Sequence, residues 1–204
     1  MIEQRVIISI QPKWCKLIAN GCKTIEVRRT KPACNTPFKC YIYCTKSTGS
    51  DFLWVLNEIG RAKFAGKTSK MADVFGAKDV GGCYKGNGKV IGEFVCDRID
   101  RIDVIDDSMM TYIQVNQKAD MFITQETCLG IDGLQQYLGN KSGFGWHISD
   151  LVVYDKPKEL NEFVKPCNRK CFDPCPYYQG KEYECDRPVI TRPPQSWCYC
   201  ERGA

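Results

Sequence analysis

The apolar residues of this chain come in short pieces. The longest are five-residue stretches such as "VIISI" and "FLWVL", far below the ~18 residues that would span a bilayer. Runs of this length make strands or single turns of helix. "RVIISI", "TIEVRR", "KCYIYCT", "KVIGEFVCDRI" and "WHISDLVVYD" read as strands. "PKWCKLIANG" reads as a short helix, with Pro12 in its first turn, Gly21 as its stop, and Trp14, Leu17 and Ile18 on one face. "GIDGLQQYLG" is a second short helix, and "PKELNEF" a turn leading into a helical stub. "DRIDRIDVID" repeats its isoleucines every third residue, a period that matches neither helix nor strand, so it counts as a weak repeat.

Several short strands with two or three short helices predict an α+β domain, or a small barrel with helices attached. Residues 46–88 interrupt that pattern. "DFLWVLNEIGRAKF" has helical character, but Gly49, Gly60, Gly66, Gly76 and the "GGCYKGNG" run surround it. This stretch reads as an insertion between strands.

The fourteen cysteines are unevenly placed. Eight are scattered through the first part of the chain, and Cys167, Cys171, Cys175, Cys185, Cys198 and Cys200 crowd its end. The beginning, "MIEQRVIISIQPKW", lacks the apolar centre of a secretion signal. A soluble, cytoplasmic protein is therefore expected, with no membrane partner, and no protein partner can be inferred. In such a compartment a cysteine cluster points to metal rather than disulfides. Cys167, Cys171, Cys175 and Cys185 follow C-x₃-C-x₃-C-x₉-C, which predicts one tetrahedral Cys₄ site for structural Zn²⁺, an iron–sulfur cluster being the alternative. Cys198 and Cys200 alternate on "SWCYCE", and one could replace a ligand of that set. A domain over 1–160 and a cysteine-rich extension over 161–204 follow.

The net charge of +5 matters for where it sits. Residues 11–40 hold Lys13, Lys16, Lys23, Arg28, Arg29, Lys31 and Lys39 against the single acid Glu26. That bias suits a phosphate-bearing partner or a solvated face. Within it lies "GCKTIEVR". On a strand, Thr24, Glu26 and Arg28 would share one face, with Lys23, Ile25 and Val27 on the other. Lys23 stands at the helix-to-strand junction, where alternation need not have begun. No P-loop, G-x-S-x-G or G-x-G-x-x-G is present, so nothing supports a nucleotide-hydrolysing or dinucleotide fold. His147, the single histidine, reads as a satisfied strand residue.

Residues 21–28 fit G-x-K-x-x-E-x-R, the signature of the ASCH family, and the order of strand, helix, motif strand and later strand around them fits too. "WHISDLVVYDKPKELNEF" and "RPPQSWCY" resemble phage- and prophage-associated members with a cysteine-rich tail. The resemblance implies a PUA-like β-barrel with short flanking helices, a cleft lined by the motif, and a modified nucleoside or RNA as ligand. It also implies an amidohydrolase releasing cytidine from N4-acetylcytidine, with a non-catalytic RNA- or DNA-binding module and a ribonuclease as alternatives. In the small amidohydrolase members a threonine nucleophile stands where this chain has Glu26. The residues so implied are Lys23, Glu26 and Glu126 for catalysis, with Trp14, Thr24 and Arg28 for binding. Glu126 precedes a short helix as the family's glutamate does, and as an acid at a helix start also would.

Overall fold

The computed structural model describes residues 4–47, 52–63, 80–139, 141–166 and 188–202. Cys167, Cys171, Cys175 and Cys185, the expected metal ligands, lie outside the described residues. Among the described residues no group of three histidine, cysteine or acidic side chains is placed to hold a metal. Among them, too, no helix is long and apolar enough to cross a membrane.

In chain order, β1 (Arg5–Ile10) leads through α1 (Pro12–Ala19) into β2 (Ile25–Arg28) and β3 (Phe38–Cys44). A small lobe follows, built from β4 (Trp54–Leu56), α2 (Glu58–Lys63) and β5 (Cys83–Lys85), in which β4 and β5 pair only with each other. Then come β6 (Val90–Cys96), β7 (Ile99–Asp106), β8 (Thr111–Val115) and β9 (Lys118–Ala119). Two short helices, α3 (Ile123–Thr127) and α4 (Ile131–Leu138), precede β10 (Gly143–His147) and β11 (Ser149–Lys158). A 3₁₀ turn at Leu160–Glu162, β12 (Phe163–Val164) and β13 (Trp197–Arg202) complete the order. The α+β class expected from the short strands is the observed one.

A six-stranded sheet runs β11-β6-β3-β1-β13-β12 and a five-stranded sheet runs β2-β10-β7-β8-β9. Among the described residues only β1 and β3 pair in parallel, which is possible because α1 and β2 intervene between them and carry the chain across. β1 is buried on both faces, and this explains why Val6, Ile7, Ile8 and Ile10 do not alternate with exposed polar residues. Val6, Ile8 and Ile10 join Phe38, Cys40, Ile42, Phe94 and Trp146 in the core between the sheets. Ile7 faces the other way, against Tyr41, Phe163 and Ile190. A third cluster places Ile25, Val27, Ile102 and Ile113 beneath α3 and α4. Each fully buried aliphatic or aromatic side chain of this kind contributes about 1.5–3 kcal/mol.

Two boundaries differ from the expected ones for one physical reason. "KVIGEFVCDRI" and "WHISDLVVYD" each break into two strands, after Cys96 and at Ile148, and the two halves belong to different sheets. The corner residues Asp97, Arg98 and Ile148 include no glycine or proline, so nothing in the sequence punctuates the break. "DRIDRIDVID" is no loose repeat but the core of β7, held between β10 and β8 by ladders on both sides. Its threefold rhythm is irrelevant there: Ile102 is buried while Ile105 is not. The stretch "FLWVL", read as helical, supplies β4.

Candidate functional site

α1 starts with Pro12 at its first position and buries Pro12, Cys15, Ile18 and Ala19. The stripe is rotated from the one expected, so Trp14 and Leu17 remain half-buried. Gly21 then takes a left-handed conformation, φ +75°, and turns the chain from helix to motif strand. Nothing crowds the space a Cβ would occupy there, so the glycine is required by backbone conformation alone. Gly21→Ala is expected to cost about 1–2 kcal/mol, measured as a loss of roughly 2–8 °C in Tm.

β2 begins at Ile25, and from there alternation holds. Ile25 and Val27 enter the core beneath α3 and α4, while Glu26 and Arg28 face the opposite side. Glu26 is nearly inaccessible and lies across the ladder from the fully buried Trp146. Lys23 precedes the strand and escapes its parity. Its backbone N–H still bonds the end of α1, donating to the Leu17 carbonyl at 3.1 Å. Its side chain is only 2% exposed, and Nζ donates to the Thr127 carbonyl at 2.5 Å. Nζ also lies 3.4 Å from Glu26 Oε2 and 5.3 Å from the centre of the Trp14 ring.

Glu26 therefore sits between two cations. Its Oε1 is 3.0 Å from Arg28 Nη2, which also donates to the Ser9 carbonyl at 2.6 Å. Its Oε2 is buried and makes no hydrogen bond among the described residues, so its charge is met there by the Lys23 amine alone. Burial pushes the Lys23 amine below its ordinary value, and the Glu26 carboxylate opposes that shift without cancelling it.

These three side chains line a cleft of about 920 Å³, a size typical of small-ligand sites. Trp14 and Lys13 form one wall, with Lys13 Nζ 4.6 Å from the Trp14 ring centre. Tyr137 and Gln136 of α4 also line it, and Arg29 donates from Nε to the Tyr137 carbonyl at 2.9 Å. A rim of Pro193, Pro194, Gln195 and Ser196 adds to the lining. Among the charged lining residues, Lys13, Lys23, Arg28 and Arg29 face the single carboxylate of Glu26. The balance favours an anionic or electron-rich ligand.

Lys23, Glu26, Arg28 and Trp14 thus meet in one place. Two other expected residues do not join them. Thr24 has an exposed side chain outside the cleft, because it lies one residue before the strand begins. Its contribution is made by its backbone, whose N–H donates to the Glu126 carbonyl at 2.9 Å and whose carbonyl accepts from Ile148 N–H at 2.9 Å. Glu126 is likewise exposed and absent from the lining. The residue of α3 that reaches the site is its neighbour Thr127, through a main-chain oxygen. His147 lies elsewhere: Nε2 is 2.6 Å from Asp100 Oδ2, and Arg98 stacks its own nitrogens against both groups.

Ser9, Gln11, Arg29, Tyr137 and the 193–196 rim were not among the residues expected at the site. The basic run over 11–40 was the signal for Arg29. For Tyr137 and the rim the sequence carries no local signal, since they reach the cleft through tertiary packing.

No family model and no curated protein matches the chain. Among solved structures it is similar to the ASCH protein of Zymomonas mobilis, at 18% identity and a TM-score of 0.45 over 96% of this chain and 86% of that one. Two crystal structures of point mutants of that protein are similar at 17% and 18% identity, each with a TM-score of 0.42. They cover 76% of this chain and 76% and 71% of their own.

Proposed function

We propose that this chain is an ASCH-like amidohydrolase that removes the acyl group from an acylated cytosine nucleoside such as N4-acetylcytidine. The observation that carries the proposal is the buried Lys23–Glu26–Arg28 group in the floor of the cleft. A surface ion pair would not need this burial, and a purely structural one would not face a cavity of ligand size.

Thr24 lies outside the cleft, and the hydroxyl of Ser9, which lines it, is engaged with the Pro194 carbonyl, so in this reading the nucleophile is water. The neutral Lys23 amine, favoured by desolvation, takes a proton as the water oxygen bonds to the acyl carbon. The Arg28 guanidinium offers donors to the oxyanion that forms. When the C–N bond breaks, the proton held by Lys23 passes to the exocyclic nitrogen, giving free cytosine nucleoside and a carboxylic acid. Glu26 fixes the two cations relative to each other. Trp14 offers a face on which a base can stack.

The excess of cations lining the cleft favours a second reading, a nucleic-acid module in which Lys13 and Arg29 grip phosphate. Incubating the purified chain with N4-acetylcytidine and following cytidine and acetate separates the two. Release of both products, with weak dependence on salt, supports the hydrolase. Absence of release at high protein concentration, with oligonucleotide affinity that falls steeply as salt rises, supports the module.

A further inference from the structure

A second cavity, about 600 Å³, lies beside the cleft and shares two lining residues with it, Thr45 and Pro193. We infer that this cavity is a subsite for the sugar-phosphate unit joined to the nucleoside, so that the preferred ligand carries a phosphodiester-linked neighbour. The inference rests on a nucleoside occupying the cleft itself.

The partition between the two cavities is held from both sides. Thr45 continues the β1–β3 ladder, its N–H donating to the Ile10 carbonyl at 2.8 Å. Pro193 is followed by Pro194, whose carbonyl accepts from Ser9 Oγ at 2.7 Å, and the two prolines stiffen that ridge. A ligand passing over it leaves the Lys23–Glu26–Arg28 floor and meets a different chemistry.

Tyr43, Leu160 and Ile190 form an apolar back wall. Lys46, Asn161 and Thr191 line the cavity with exposed polar side chains, which can donate to phosphate and sugar oxygens. The acid of this cavity, Glu159, is already engaged. It pairs with Lys89 and caps the 3₁₀ turn that follows it. The charge of Lys46 is therefore not offset by that carboxylate.

Lys46 is also placed. Its side-chain carbons run 3.2–3.8 Å from where a Cβ on Gly88 would be, and Gly88 holds φ +78°. A glycine there provides both the backbone turn and the trough for the lysine stem.

The test measures binding of cytidine, of cytidylyl-3′,5′-adenosine and of adenylyl-3′,5′-cytidine to the full chain, none of which can be deacylated. One of the two dinucleotides is expected to bind on the order of tenfold tighter than cytidine, the gain of one charge-assisted contact. Lys46→Ala and Asn161→Ala should each erase most of that gain while leaving the affinity for cytidine unchanged. Should cytidine bind and neither dinucleotide bind more tightly, the subsite is overturned and the cleft reading survives. A gain insensitive to both substitutions also overturns the subsite. If none of the three binds, the nucleoside reading fails and the subsite with it.

Discussion

Lys23→Ala is expected to lower the rate of N4-acetylcytidine hydrolysis by about 10²–10⁴-fold, the range for removing a positioned general base. The fold should survive, because Arg28 remains 3.0 Å from Glu26 and keeps its charge compensated. Lys23→Met, which retains the apolar stem, should be as inactive as the alanine variant and lose less stability. The wild-type pH–rate profile should rise with pH to a plateau reached below the ordinary lysine range, since burial lowers the Lys23 pKa and the neutral amine is the active form. Stability follows the same sign. The unfolded chain holds this proton to higher pH than the fold does, so stability increases as pH rises between the folded and unfolded values. Loss of that rising limb in Lys23→Met assigns it to this residue. A limb that persists, or a variant with wild-type rate, overturns the assignment.

The largest effect on stability belongs to Glu26. Glu26→Ala leaves two buried cations without their shared carboxylate and should cost about 3–5 kcal/mol, a fall in Tm on the order of 10 °C. The two cations respond differently. Lys23 can shed its proton once the carboxylate that favours its charged form is gone, whereas Arg28 stays charged at every accessible pH. Adding Lys23→Met to Glu26→Ala should therefore destabilise less than Lys23→Met does alone, and thermal melts of the four proteins measure that coupling. Purely additive losses would mean that the pair at 3.4 Å contributes nothing.

The motif shows how far local pattern reaches. Alternation assigns Ile25 and Val27 to the core and Glu26 and Arg28 to the opposite side, and the structure agrees. The same rule assigns Thr24 to the Glu26 face, and it fails because the strand starts one residue later. Where a strand begins is decided by its partner: β10 pairs with β2 from Ile25 to Arg28. The lysine is further out of reach of any local rule. Its orientation depends on a carbonyl 104 residues away, and a backbone oxygen carries no side-chain signature. This is also why Glu126 stood out in the sequence while Thr127 did not. The strands were legible as apolar runs, but their division between two sheets was not, because the corners at Cys96–Ile99 and at Ile148 hold no glycine or proline to mark them.

The ladder between β1 and β13 carries a consequence for biosynthesis. β1 lies in the interior of its sheet, with β3 on one side and β13 on the other. On a ribosome the first neighbour emerges soon after β1, but the second is made much later. Ser9 and the Pro194 carbonyl it binds are separated by 185 residues of synthesis. Throughout that interval a highly apolar strand presents an open edge, the kind of surface on which nascent chains associate with one another. The rim of the cleft belongs to the same late segment. A nascent chain thus acquires its ligand cleft and loses its sticky edge in a single step, once this distant segment has been made.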